Sequence, residues 1–462
     1  MKQAVVILHG MGEQIPMQTL NSFVDTVWTR DRSLVDKDRP DPDTGGKRTG
    51  NVSWAKPDTR NTSAELRRVT TEQDDAGNYT DFYEYYWAHM MQGNTWEHVK
   101  AWIMDLLFRR PPERVRHAWI VLWVLTLIVG GVTLWGLWPR PAPAPWVVFV
   151  SALFGIAATG FVSNVLVKRF GDVARYVKAW PANVARRKEI RETGVKLLKD
   201  LTECGDYDRI IVVAHSLGTI VAYDMLTQLF AQYNSDIGRD TGPQPQRHRL
   251  EDMIRAARDG GTLDLDAYQA QQAKVLEEAR ALGFKWCISD FVTLGAPLTH
   301  AEFLVADSRA DLRAKQARRR LPTCPPVLEF DGTTKLHHFT YSNARGRKPE
   351  DRRVPHHAAL FAYTRWTNLY APEKAIVTGD LIAGPVGEVF GLEHEGRVIQ
   401  GVRDIAVLPR LAADGSVAKG HRRSGFAHNN YWAMDKGTET DEVAVPWHIE
   451  QLRKALGLLQ KR

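Results

Sequence analysis

The sequence predicts an α/β fold with a mostly parallel central sheet, interrupted by a two-helix hairpin of membrane-spanning length. Three observations carry that expectation. Apolar runs at 4–8 and 209–214, with a third strand-like run at 290–294, resemble strands buried inside a parallel sheet. Stretches of helical character alternate with these strands along the chain. Two stretches without a charged residue, 118–138 and 146–167, are long enough as helices to cross a hydrocarbon core.

Composition sets the outer bounds. A chain of 462 residues allows up to about three domains at ~150 residues each and can bury a large core without disulfide staples. Hydrophobic residues at 44% and charged residues at 25% exclude wholesale disorder and a collagen-like repeat. A net charge of +7 over this length gives no argument for a nucleic-acid partner. Cys204, Cys287 and Cys324 are too few and too scattered for a disulfide framework or a zinc cluster, so a reducing compartment is expected. The run at 4–8 is too short for a signal-peptide core and no small-residue cleavage site follows it, so no export signal is expected.

The elements follow in order. Residues 17–28 read as a helix, and 63–71 and 79–88 as strands joined by the turn chemistry of 74–78. Residues 31–60 carry Asp, Pro, Gly and Arg without an apolar period and read as a surface loop. Residues 184–201 form an amphipathic helix, 216–230 a helix after the strand at 209–214, and 231–282 a polar insertion with helical character. Strand-like runs recur at 361–370 and 398–408, and 447–459 closes the chain as a helix. The domain division is therefore 1–110 and 171–462 as two parts of one domain, separated by 111–170.

The hairpin follows from length and flanking charge. The two runs, of 21 and 22 residues, would each be about 32 Å long as helices, against a hydrocarbon core of ~30 Å. The proline-rich turn at 139–145 separates them, and Trp119, Trp123, Trp135, Trp138 and Trp146 sit near the run ends. Arg109, Arg110, Arg114 and Arg116 precede the first run and Lys168, Arg169, Arg175 and Lys178 follow the second, whereas the turn holds only Arg140. This asymmetry predicts a two-span membrane protein with both ends of the hairpin, and so the rest of the chain, on the cytoplasmic side. The alternative is a buried helical pair or an apolar lid.

The chemistry centres on Ala214-His215-Ser216-Leu217-Gly218, between a buried strand and a helix. Small neighbours permit a sharp strand-to-helix turn that presents Ser216 Oγ above the sheet, and the helix start turns free N–H groups toward developing negative charge. The N–H of Leu217 is one expected oxyanion donor. The loop Leu8-His9-Gly10-Met11-Gly12-Glu13-Gln14, at the end of the first strand, supplies the other, with the N–H of Met11 preferred and Gly12 next. A phosphate-binding loop is the competing reading, but the G-x-G-x-x-G spacing and the Lys-Ser/Thr of a P-loop are absent.

These two motifs, with Thr293-Leu294-Gly295-Ala296-Pro297-Leu298, resemble the α/β-hydrolase superfamily on its lipase and esterase side, across most of the chain outside the hairpin and 231–282. The resemblance implies a triad in chain order Ser, acid, His. It places the base at His428, after the last strand and before the closing helix, and His215 as a packing residue. Asp380 is the expected acid, delivered by the loop after the 361–370 strand, with Asp404 and Glu373 as alternatives; Arg403 is the expected partner of Asp404. The pairs His337-His338 and His356-His357 read as solvated or core histidines, and no metal or cofactor is expected.

The expected function is a membrane-anchored serine hydrolase of carboxylic esters. Lipid esters are the favoured substrate, because a Gly-Ala/Ser-Pro-Leu strand end recurs among lipases and phospholipases and because the hairpin and the basic segment 309–320 would hold the site at a lipid surface. The alternatives are a membrane-resident thioesterase, peptidase or small-ester hydrolase, and an inactive hydrolase-fold scaffold.

Overall fold

The first strand, β1 (Lys2–Leu8), lies at the middle of the molecule, and Ala4 through Leu8 are buried on both faces. The computed structural model describes residues 1–11, 15–34, 39–58, 60, 65–91, 176, 181–236, 243–342, 353–372, 379–380, 382–419, 427–434 and 444–460, with isolated positions at 120, 123, 124, 127 and 131. The other sheet strands are β2 (Ser53–Pro57), β3 (Arg67–Thr71), β4 (Tyr79–Tyr85), β5 (Arg209–His215), β6 (Ile288–Leu294), β7 (Arg365–Tyr370) and β8 (Arg403–Ala406). The eight strands run β8-β7-β6-β5-β1-β4-β3-β2, parallel from β8 to β4, with β3 and β2 added antiparallel at one edge. Strands before and after residues 92–175 thus belong to one sheet.

Side-chain alternation along the central strands feeds two cores. Ala4, Val6 and Leu8 of β1 join Ile210, Val212 and Ala214 of β5 in one core, covered by α2 (Pro181–Glu203) and α3 (Gly218–Tyr233). Val5, Ile7, Ile211 and Val213 face the other, covered by α1 (Gln18–Val24) and the closing helix, residues Trp447–Leu456. Each Val, Ile or Leu buried in this way contributes about 1.5–3 kcal/mol. The result is a three-layer α/β/α arrangement.

Several boundaries differ from expectation for physical reasons. β2 lies within the stretch read as a loop; it is an exposed edge strand carrying Lys56 and Pro57, and so shows no apolar period. The run at 398–408 divides: Arg397–Ile399 pairs with Leu392–His394 as a separate ribbon, and only Arg403–Ala406 joins the sheet. The polar stretch 231–282 holds α4 (Pro245–Arg258) and α5 (Leu265–Ala281), which bury Leu250, Ile254, Tyr268 and Val275 in the main core. Its polarity is partly internal. Glu251, fully buried, accepts from Arg247 Nη1 (2.6 Å), His338 Nδ1 (2.7 Å) and Thr340 Oγ1 (2.9 Å).

The membrane placement requires correction. Among the described residues, no helix is long and apolar enough to cross a membrane. The runs 118–138 and 146–167 lie outside the described residues apart from Ile120, Trp123, Val124, Leu127 and Gly131. The apolar helix α3, by contrast, is 16 residues, about 24 Å, and buries its apolar side chains against the strands. The two-span assignment and the cytoplasmic orientation derived from it are not retained.

At the end of the sheet opposite the strand C-termini, charge is buried in pairs. Asp290 accepts from Arg209 Nη2 (2.6 Å) and pairs with Arg365 Nη2 (2.8 Å), while Arg209 also donates to the carbonyls of Leu456 (3.0 Å) and Gly457 (3.1 Å). Burial alone would raise the Asp290 pKa, but the guanidiniums of Arg209 and Arg365 and the Ser289 hydroxyl hold it well below the usual carboxylate range. The stability this contributes is present at neutral pH and lost as pH falls. Asp290→Ala leaves two buried guanidiniums without their carboxylate, and a loss of about 3–5 kcal/mol is expected in urea unfolding at pH 7. A loss below about 1 kcal/mol would show that water replaces the carboxylate there.

Candidate active site

β1 and β5 pair in register, Leu8 beside Ala214, so the residues that leave the two strands face each other above the sheet. Ser216 follows β5 with φ +52°, a left-handed conformation that costs a serine about 1 kcal/mol or more. Surrounding bonds hold it there. The Ser216 N–H donates to the Leu294 carbonyl (3.0 Å), and the Ser216 carbonyl accepts from Thr219 N (3.0 Å) and Oγ1 (2.7 Å). A Cβ on Gly218 would lie 2.4 Å from the His9 carbonyl oxygen, and one on Gly10 would lie 2.9 Å from Ser216 Cβ. The turn is therefore packed backbone to backbone against the end of β1.

Three elements then meet. His428 Nε2 is 2.8 Å from Ser216 Oγ, and His428 Nδ1 is 2.8 Å from Asp380 Oδ2. Because an ionised carboxylate only accepts, Nδ1 carries the proton and Nε2 receives the serine O–H. Asp380 is buried, and its Oδ1 accepts from Ile382 N (2.9 Å) and Ala383 N (3.3 Å). Burial pushes its pKa up, but the hydrogen bond and charge of His428, the Ile382 N–H and the Tyr431 hydroxyl together bring it below the ordinary value. Asp380 is ionised at neutral pH.

Of the alternative acids, Asp404 sits on β8 beside Asn368 and accepts from Asn368 Nδ2 (2.7 Å), Val386 N (2.9 Å) and Gly387 N (2.7 Å). The expected Arg403–Asp404 pair does not form. Neighbours on a strand point to opposite faces, and Arg403 reaches Gln269 Oε1 (2.7 Å) and Asp266 Oδ1 (2.5 Å) instead. Glu373 and Gly12 lie outside the described residues. Leu217, buried, follows Ser216 at the start of α3, and Met11, half-buried, follows Gly10, where a Cβ would lie 2.9 Å from Ser216 Cβ.

Two residues have roles that the sequence reading left out. His215 is more than a packing residue: its Nε2–H donates to the His428 carbonyl (2.7 Å), and its ring meets Trp432 edge to face at 5.0 Å. Burial, then the charge of His428, push its pKa down to about 3, so it stays a neutral donor. Tyr431 donates its hydroxyl to Asp380 Oδ2 (2.8 Å). No pattern marks either role in the sequence, although Tyr431 lies only three residues beyond His428.

The loop that follows β1 is tied down at both ends by β4 and its continuation. The Trp87 N–H donates to His9 Nε2 (3.1 Å), which leaves His9 Nδ1–H for the Gly10 carbonyl (2.8 Å); the His9 ring stacks on Trp87 at 5.0 Å. Burial pushes the His9 pKa down to about 4, keeping this tautomer neutral. A trans peptide holds C=O and N–H antiparallel, so fixing the Gly10 carbonyl also fixes the direction of the Met11 N–H. At the far end, Met17 N donates to Glu84 Oε2 (2.7 Å).

No protein-family model, curated protein or solved structure matches this chain. The geometry therefore stands on its own residues. Among the described residues, no group of three or more His, Cys, Asp or Glu comes together to hold a metal ion. The histidine pairs engage protein groups: His338 bonds Glu251, His356 Nε2 the Val327 carbonyl (2.9 Å), and His357 Nε2 the Arg319 carbonyl (3.0 Å).

Glu84 supplies a test of the loop anchor. Its Oε1 is buried without a hydrogen-bond partner among the described residues, and burial pushes its carboxyl up to about 7. A folded-state value above the unfolded one contributes stability that is complete below the unfolded pKa of about 4.3 and lost as pH rises through about 7. Glu84→Gln keeps an acceptor for Met17 and removes the titration. Its melting temperature relative to wild type should rise between pH 5 and pH 8, equivalent to about 2–3 kcal/mol. Parallel pH profiles for the two proteins would place the Glu84 titration below this range.

Proposed function

We propose that this chain is a serine hydrolase of carboxylic esters with an α/β-hydrolase fold, working through an acyl-enzyme. The observation that carries the reading is the unbroken hydrogen-bond chain from Ser216 Oγ through His428 to Asp380, with the serine on a strained turn between β5 and α3. Serine after β5, acid after β7 and base after β8 follow the chain order of that superfamily, and all three arrive at the C-terminal edge of a parallel sheet.

Each group then has one task. His428 Nε2 takes the Ser216 proton as Oγ attacks the ester carbonyl, and Asp380 stabilises the imidazolium that forms. The N–H groups of Leu217 and Met11 receive the negative charge that develops on the carbonyl oxygen. His428 returns the proton to the leaving alcohol; water then enters and the same steps release the acid. Met11 packs its side chain against the main core, which helps to fix the backbone that carries its N–H. Lipid esters are one substrate class within this proposed reaction.

A fluorophosphonate probe should label wild type at Ser216 and leave Ser216→Ala unlabelled, with ester turnover reduced about 10³-fold or more. Labelling that persists at another serine would overturn the assignment. Asp380→Asn should keep the fold and lower kcat by up to about 10⁴-fold, because an amide accommodates the wrong histidine tautomer. Asp404→Asn should act on thermal stability, through the loop N–H groups it receives. A fully active Asp380→Asn enzyme beside an inactive, folded Asp404→Asn enzyme would reverse the choice of acid.

A further inference from the structure

Beneath the triad lies a fourth side chain whose placement is over-determined. Tyr431 is fully buried, and its hydroxyl sits 2.8 Å from Asp380 Oδ2, the same oxygen that receives His428 Nδ1. The hydroxyl is also 2.9 Å from the N–H of Ala371, the residue directly after β7. A backbone N–H can only donate, so the hydroxyl accepts there and its single proton must go to Asp380. The direction of the bond is forced.

The fold makes room for this arrangement. Gly295, at φ +61° just beyond β6, faces the tyrosine ring; a Cβ there would lie 2.6 Å from Tyr431 Cε2 and 3.2 Å from Asp380 Oδ2. The glycine that opens Gly295-Ala296-Pro297-Leu298 is thus needed to admit both groups. Oδ1 of Asp380 is meanwhile held by the Ile382 N–H. With Oδ1 and Oδ2 each clamped, the carboxylate cannot rotate about its Cβ–Cγ bond.

We propose that Tyr431 is a positioning residue of the triad: its hydroxyl fixes the plane in which Asp380 presents Oδ2 to His428 Nδ1 and withdraws part of the carboxylate's charge from that bond. The inference rests on the ester-hydrolase reading for its kinetic effect, but not for its geometry. Removing the hydroxyl concentrates charge on His428 Nδ1–H and favours the imidazolium, so the acid limb of the kcat/KM profile moves to higher pH. His215, the other titratable ring against His428, is a buried neutral donor and adds no charge over this range.

Tyr431→Phe should lower plateau kcat about 10-fold, the scale of one lost hydrogen bond to a charged group, with KM changed less than about 2-fold. The acid limb should rise by about half a pH unit. Site-specific replacement by a ring-fluorinated tyrosine, a stronger donor of nearly the same shape, should move the limb the opposite way. The low-field proton resonance of His428 Nδ1–H reads the same bond without turnover: it should be present in wild type and shift in opposite directions in the two variants. Opposite shifts with no ester turnover in any protein would uphold the positioning role and sink the hydrolase reading. Turnover with fluorophosphonate labelling at Ser216, but with limb and resonance unmoved in both variants, would overturn the role of Tyr431.

Discussion

The close contact between the end of β1 and the turn that carries Ser216 is the constraint on which the rest of the site depends. Parallel pairing brings Leu8 level with Ala214, so both strands finish at the same height and their continuations must share the space above the sheet. That space admits backbone and little else: the His9 carbonyl lies where a Cβ on Gly218 would have to go, and Gly10 approaches the serine itself. A left-handed serine is costly in isolation. Here it persists because the bond from Ser216 N to Leu294 and those from Thr219 to the Ser216 carbonyl hold the turn from both sides.

Around that turn, the histidines are sorted by their partners. His9 and His215 are buried and neutral, each with its proton committed to a backbone carbonyl, Gly10 for one and His428 for the other. Of these three rings, His428 is the one strung between a donor hydroxyl and a carboxylate, where gaining a proton at Nε2 produces a cation with an anionic neighbour. Three rings of one residue type thus do three different things. At the opposite end of the sheet, the Asp290–Arg209–Arg365 group joins β5, β6 and β7 and reaches the closing helix through the Leu456 and Gly457 carbonyls. That group ties three strands and the closing helix together at the end of the sheet away from Ser216.

The segment between β5 and β6 shows how polarity along a chain can mislead about position. Composition marks 231–282 as a polar insertion with helical character, yet α4 and α5 cover the core, and Arg247, Glu251, Gln271 and Gln272 are buried. Gln272 Nε2 donates to the Phe361 carbonyl and Arg247 to Glu251, so these donors replace lost water with protein partners. Burial of a polar residue depends on such a partner being available, and Gln272 and Glu251 find theirs 87 to 89 positions along the chain, at Phe361, His338 and Thr340.

What the sequence alone determined was local. The apolar runs of β1, β5 and β6 announce buried parallel strands because both faces of each must leave water, and the small residues around Ser216 announce the turn because sterics demand them within five positions. The membrane placement drawn from 118–138 and 146–167 is the local reading that did not hold among the described residues. The edge strand β2 had no period to read, since neither of its faces is packed. Tertiary structure decided the rest. The sequence favours Asp380, in a loop flanked by Gly379 and Gly384, over Asp404 in a strand-like run, but its meeting with His428 rests on the fold, which brings the two side chains to 2.8 Å and the Ile382 N–H onto the other carboxylate oxygen. His428 meets Ser216 across 212 positions and Asp380 across 48, while Tyr431 and Asp380 are 51 apart. A hydrogen bond needs atoms within about 3 Å, and only the folded sheet, with its strand ends brought level by parallel register, sets such distances.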